Sequence, residues 1–310
     1  MAANKRNLVI GCDGTWNDND TGASTNVVKI LDACKNRNLE KYYMEGVGTA
    51  HWEALPGGIY GANIDRQILG AYNFLAKMFR NKDWERKDNR LFIFGFSRGA
   101  YAARRLAGLV SFTGIPVKDA DRELGWNLYL NKDVDSMAHL KAEGRFFDHP
   151  IEVLGVWDTV KTTTDPDFDD RILPEAVVAG YHAMAIDEKR TFFPILKWDK
   201  NIKARQVWFA GVHSDIGGGY KETGLSDISL QWMIDSVYAH GLLFKASAVK
   251  NLKSNPDGKL HNSYQGIWIP FGSKTRTIGK NDLVHQSVET RMKKGYEPDN
   301  LPPTPTFVTL

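Results

Sequence analysis

Short apolar runs alternate along the chain with longer stretches of helical periodicity. Leu8-Val9-Ile10 leads into Gly11-Cys12-Asp13-Gly14-Thr15, and Tyr42-Tyr43-Met44 leads into Glu45-Gly46-Val47-Gly48-Thr49. Leu91-Phe92-Ile93-Phe94, Ile151 to Trp157 and Gln206 to Val212 are further runs of the same kind. Unbroken apolar runs of this length, rather than alternating ones, are expected of strands covered on both faces. Between them, Ile64, Ile68, Tyr72 and Leu75 fall at helical spacing and predict a helix through Phe79. Asn26 to Ala33 and Ala100 to Val110 predict two more, Ala176 to Arg190 reads as helix-like, and Gly266-Ile267-Trp268-Ile269 reads as a strand. The alternation predicts an α/β protein with a mostly parallel central sheet and helices on both faces. We read residues 1–310 as one such domain, with cap insertions at about 111–150 and 159–204, the places where lids and substrate pockets are built.

Composition narrows the function classes. Lys+Arg 40 against Asp+Glu 37 leaves a formal charge of +3, without the basic stripe of a phosphate-backbone binder, so nucleic acid is not an expected partner. The 2 cysteines, Cys12 and Cys34, are too few for a disulfide scaffold and lack paired zinc spacing. No run approaches the length of a membrane span, and the first residues lack the apolar core of a secretory signal. The expectation is therefore synthesis in the cytoplasm, with any onward delivery, to a periplasm or a target cell, made without a classical signal peptide.

The chemistry concentrates where three apolar runs end. Gly95-Phe96-Ser97-Arg98-Gly99 has the G-x-S-x-G form of a nucleophile elbow, with a buried strand before it and a small-residue helix, Ala100, Ala102 and Ala103, after it. The helix N-terminus beneath Ser97 would favour an anionic intermediate. A serine hydroxyl needs a base, itself oriented by an acid. His213, at the end of the run from Gln206 to Val212, is the candidate base, its swing allowed by a flexible stretch through Gly219. Asp158, after Val156-Trp157, leads as the acid; Asp187 and Asp215 are alternatives, Asp215 being better placed to shape the glycine turn. The chain order Ser97, Asp158, His213 is that expected of α/β-hydrolases. An oxyanion hole would draw on the amide of Arg98 and on the Gly14–Thr15 loop, with Asp13 holding that loop in shape. The runs Trp52 to Tyr60 and Phe192 to Leu196 are candidate lid surfaces, and Arg98, Arg104 and Arg105 a local basic cluster.

Four blocks carry a family resemblance: Cys12-Asp13-Gly14-Thr15-Trp16-Asn17, Gly95 to Tyr101, Gly155 to Val160 and Val207 to Tyr220, with later echoes at Ala183 to Arg190 and Val284 to Val288. Together they resemble an α/β-hydrolase family, formerly of unknown function, that includes the catalytic domain of type VI secretion lipase effectors. The resemblance implies cleavage of carboxylic esters, with phospholipids the best-known substrates of the effector members, Ser97 as nucleophile and His213 as base. It implies no cofactor and no metal, transient contact with membrane, and an immunity protein or secretion apparatus as partner. Two other readings of the residues stay open. One is a metal-dependent hydrolase using Asp13, Asp158, His213 and Asp215, whose oxygen and imidazole donors suit Mn or Zn. The other is a non-catalytic binding module on a hydrolase fold.

Overall fold

The computed structural model describes residues 5–14, 23–35, 37–46, 59–81, 83–160 and 171–310, the side chains of 59–63 excepted. In chain order the elements are β1 (Arg6–Cys12), α1 (Asn26–Ala33), β2 (Leu39–Met44), α2 (Ile59–Phe79), β3 (Asn89–Phe96), α3 (Ser97–Thr113), β4 (Ile115–Pro116), α4 (Asp121–Leu130), α5 (Val134–Ala142), β5 (Phe146–Phe147), β6 (Ile151–Trp157), β7 (Val177–Ala185), β8 (Ala204–Phe209), α6 (His213–Gly217), α7 (Gly224–Tyr238), α8 (Ala246–Lys250), β9 (Leu283–His285), α9 (Gln286–Met292) and β10 (Thr306–Val308).

Among the described residues, eight strands form one sheet in the order β10-β9-β8-β7-β6-β3-β1-β2, and its pairings are parallel. The central strands are buried because both faces are covered. On one side α2 and α3 pack Ile68, Tyr72, Leu75, Ala103 and Leu106 against Leu8, Ile10 and Ile93. On the other α1 and α7 pack Val27, Ile30, Trp232 and Met233 against Val9, Phe92, Phe94 and Trp157. The stretch 111–150 carries β4, α4, α5 and β5, with a small cluster of its own from Leu128, Met137, Leu140 and Phe146.

Three local expectations are corrected. Ala176 to Arg190 is not helical: Val177–Ala185 is β7, inserted in the sheet between β6 and β8. Its alanines and Met184 mimic a helix, yet Ala183 and Ala185 are packed into the core on one face of the sheet while Gly180 meets Leu173 and Trp198 on the other. A Cβ on Gly180 would lie 2.8 Å from Leu173 and 3.4 Å from Trp198, so glycine fits that position. Packing overrides propensity there. Gly266–Phe271 is a 3-10 turn rather than a strand, because Pro270 removes a ladder donor. The stretch after His213 is not free chain but the short helix α6.

Candidate active site

A parallel sheet puts the C-terminal ends of its strands along one edge, and ligands meet such sheets there. Phe96 at the end of β3 pairs with Trp157 at the end of β6, so Ser97 and Asp158 leave adjacent strands side by side. One strand beyond β7, the chain leaves β8 and turns into α6, whose first residue is His213.

Ser97 has φ +60°, a left-handed conformation that costs a non-glycine residue energy and is held only by its surroundings. The turn is possible because α3 lies against β1: a Cβ on Gly99 would collide with the backbone carbonyl of Cys12. Gly14 is also close, though less so, since a Cβ there would stand 3.0 Å from the Ser97 Cβ. The second strained residue at this edge is Asp158, with φ +41°.

The side chains converge. Ser97 Oγ lies 2.7 Å from His213 Nε2, and His213 Nδ1 lies 2.6 Å from Asp158 Oδ2. One neutral tautomer serves both contacts, with Nδ1–H donating to the carboxylate and Nε2 accepting from the hydroxyl. The imidazole is walled by Phe96, ring centroids 4.6 Å apart, and by Phe193 at 5.1 Å. Burial lowers the His213 pKa below its ordinary value, only partly offset by Asp158, so the ring is neutral at pH 7.

Asp158 is fully buried and fully engaged. Oδ1 accepts from the Ala185 amide at 2.8 Å, and Arg276 grips the carboxylate with two nitrogens, at 2.6 Å to Oδ1 and 2.9 Å to Oδ2. Arg276 is anchored in turn on the carbonyls of Ala185 and Phe193, each at 2.9 Å. Burial works against the carboxylate's charge, but Arg276 and His213 outweigh it and hold the pKa well below the ordinary range. Glu188 supports the same corner: it accepts from the His213 amide at 3.2 Å, from Ser263 Oγ at 2.9 Å and from the Arg190 guanidinium at 2.8 Å. Burial pushes its pKa up, and the Arg190 bonds and charge overcome that and bring it to about 2.

The remaining sequence candidates have other partners. Asp215 accepts from the Val212 amide at 3.1 Å and lies 2.6 Å from His261 Nδ1, forming a separate pair. Asp187 takes the Gly211 amide and the Tyr296 hydroxyl, each at 2.7 Å. Asp13 organises the loop after β1: it accepts from the Gly14 amide at 2.8 Å, Thr25 Oγ1 at 2.7 Å and the Tyr43 hydroxyl at 2.8 Å. The Gly14 amide is thus committed to Asp13, and any place in an oxyanion hole requires that bond to be exchanged. Thr15 and most of the run from Trp52 to Tyr60 lie outside the described residues. Arg98 opens the first turn of α3, whereas Arg105 pairs with Asp65 at 3.0 Å and Arg104 donates to the Leu196 carbonyl at 2.6 Å.

The four candidate metal ligands do not share a cage. Asp13, Asp158 and Asp215 each spend their oxygens on different donors, and no group of three or more His, Cys, Asp or Glu among the described residues is arranged to hold an ion. Sequence reasoning missed Arg276 and Glu188. The trace of Arg276 is slight: Thr275 and Thr277 are exposed while Arg276 and Ile278 are buried, an alternation that sets a charged residue on the inward side.

Fold and strand-end site place the chain among proteins built like α/β-hydrolases. The family profile described as "T6SS, Phospholipase effector Tle1-like, catalytic domain" matches residues 6–236, and the chain belongs to that family. An uncharacterized protein of Saccharomyces cerevisiae is 25% identical over 225 residues, covering 61% of this chain and 32% of that protein. A solved uncharacterized protein from Pseudomonas aeruginosa aligns at TM-score 0.47 and 19% identity, over 81% of this chain and 47% of the other. The Tle1 effector, solved bound to the VgrG spike of the type 6 secretion system, aligns at TM-score 0.42 and 18% identity, over 72% and 53%. The chain thus spans about a third of the yeast protein's length and about half of each solved chain.

Proposed function

We propose that the protein is a serine hydrolase that cleaves carboxylic esters of lipids through an acyl-enzyme. The observation that carries this reading is the unbroken relay of Ser97 Oγ, His213 and Asp158 at 2.7 Å and 2.6 Å. His213 Nε2 takes the Ser97 proton as Oγ bonds to the ester carbonyl carbon. The tetrahedral oxyanion is held by the Arg98 amide at the α3 N-terminus. Collapse breaks the ester C–O bond, and the imidazolium returns its proton to the departing alcohol. Water, deprotonated by His213, then attacks the acyl carbon and releases the carboxylic acid and free Ser97. Asp158 fixes the tautomer and stabilises the imidazolium. The lipid side of the reading comes from family membership, as does the proposal that the protein is delivered by a type VI secretion system.

The test is hydrolysis of esters of increasing acyl length with a Ser97→Ala control, alongside fluorophosphonate labelling. Ser97→Ala should lower kcat by about 10⁴ to 10⁶-fold and abolish labelling. A folded Ser97→Ala protein that hydrolyses esters at the parental rate would end the proposal.

A further inference from the structure

We propose that the segments 189–194 and 264–280 form one interfacial surface that seats the protein on an anionic lipid bilayer with the Ser97 site facing it. The inference rests on the lipid-ester reading for its purpose, but its geometry is independent of the chemistry. Ile267 and Ile269 are each 57% exposed, Phe271 43% and Phe192 39%. Scattered exposed apolar side chains are ordinary, but a contiguous group of them marks a contact surface.

The segments are fastened together. Arg190 bridges to Ser273, the Lys274 amide donates to the Lys189 carbonyl at 2.7 Å, and Thr191 Oγ1 donates to the Gly272 carbonyl at 2.7 Å. Ring contacts then run inward without a gap. Phe192 meets Phe271 at 5.3 Å, Phe271 meets Trp268 at 6.4 Å, Trp268 meets Phe193 at 5.4 Å, and Phe193 meets the His213 ring at 5.1 Å. An acyl chain leaving a bilayer here would follow these rings toward the imidazole, passing the Arg190 guanidinium, which is stacked 3.5 Å from the Phe193 ring centroid and 5.1 Å from that of Trp268.

Charge selects the occupant. Residues 189–197 and 264–280 contain no carboxylate, while Lys189 and Lys274, joined by a backbone hydrogen bond, are exposed on the two fastened segments, and Lys280 is exposed at the end of the second. In a chain of net charge only +3, two adjoining acid-free cationic segments are a local feature rather than background. Apolar side chains flanked by lysines, with Trp268 and Tyr264 at the border, match the requirements of a surface that dips into a headgroup layer and attracts anionic lipid.

Binding is read on the full-length Ser97→Ala chain by co-sedimentation with phosphatidylcholine vesicles, with and without phosphatidylglycerol. The protein should bind the phosphatidylglycerol vesicles and release in high salt. Ile267→Asp with Ile269→Asp should weaken binding about 100-fold, and Lys189→Glu with Lys274→Glu should remove at least about 30-fold of the anionic preference. With Ser97 restored, both variants should hydrolyse a water-soluble butyrate ester at the parental rate while losing activity on vesicles, which also shows that they fold. A parent that ignores vesicles, variants that bind as the parent does, or a dimer of the parent that the isoleucine substitutions dissolve would each overturn the proposal. Normal vesicle binding with no ester hydrolysis by the parent would instead overturn the hydrolase reading and leave this surface standing.

Discussion

The Arg276 guanidinium decides how strongly Asp158 acts on His213. Desolvating a carboxylate is expensive unless it is paired and hydrogen-bonded, and Asp158, at 0% exposure, has His213, Arg276 and the Ala185 amide for partners. Arg276 therefore shares with His213 the stabilisation of the buried carboxylate, and by balancing its charge also keeps His213 from becoming too basic. Arg276→Met should lower kcat about 10 to 100-fold. It should also move the acidic limb of kcat/KM to higher pH, because an uncompensated Asp158 stabilises the imidazolium; Arg276→Lys should restore most of the limb's position. The other charges near the ring, Glu188 and Arg190, stay in place in both variants. A pH–rate profile of Arg276→Met identical to the parent's would assign Arg276 to packing alone. In the parent, burial has lowered the His213 pKa, so the limb itself should fall below pH 6.5, with activity lost as the ring protonates on going more acidic.

At the scale of elements, the β3–α3 turn exchanges stability for the placement of the proposed nucleophile. Ser97 at φ +60° carries strain of about 1–3 kcal/mol that glycine would not. Ser97→Gly should thus abolish ester hydrolysis yet match or exceed the parent's Tm, whereas Gly99→Ala should lower Tm by several degrees, since its Cβ collides with the β1 backbone. Scanning calorimetry of the two variants checks both, and a Ser97→Gly protein markedly less stable than the parent would show that the turn is not strained. This turn was legible in the sequence because its requirements are local: glycine on either side, a buried run before and alanines after. The strand β7 was not, because what makes Val177–Ala185 a strand is lateral pairing with β6 and β8 and the overhead packing of Leu173 and Trp198. None of that lies within a helical window of sequence. The turn at Gly266–Phe271 misled in the opposite sense, since its apolar residues face solvent rather than a sheet.

Across the whole molecule, the meeting of Ser97, Asp158 and His213 could be expected from sequence because each ends an apolar run and parallel strands bring such ends together. Arg276 was not readable, since it reaches Asp158 across 118 positions of chain with no motif around it. The same assembly buries two further histidines, His182 beside the site and His149 away from it. His182 is completely buried, its Nε2 accepting from the Thr159 amide at 3.2 Å, and burial brings its pKa down to about 3. His149, 7% exposed against Phe79, is brought to about 4 by burial. The unfolded chain would protonate both near pH 6.5. Between that value and pH 4 the unfolded state therefore binds more protons than the native one, and stability must fall as pH falls. Two such groups give a slope of about 3 kcal/mol per pH unit, to which His213, His240 and His285, whose pKa values burial also lowers, add in the same direction. A total stability of about 5–15 kcal/mol does not survive many units of that slope. Urea midpoints followed by tryptophan fluorescence should decline steeply from pH 7 to pH 4.5, and His149→Gln should flatten the decline by about 1.4 kcal/mol per unit. A midpoint constant over that range would mean that these rings titrate in the folded protein as they do in water, and that the core around β6 and β7 admits solvent.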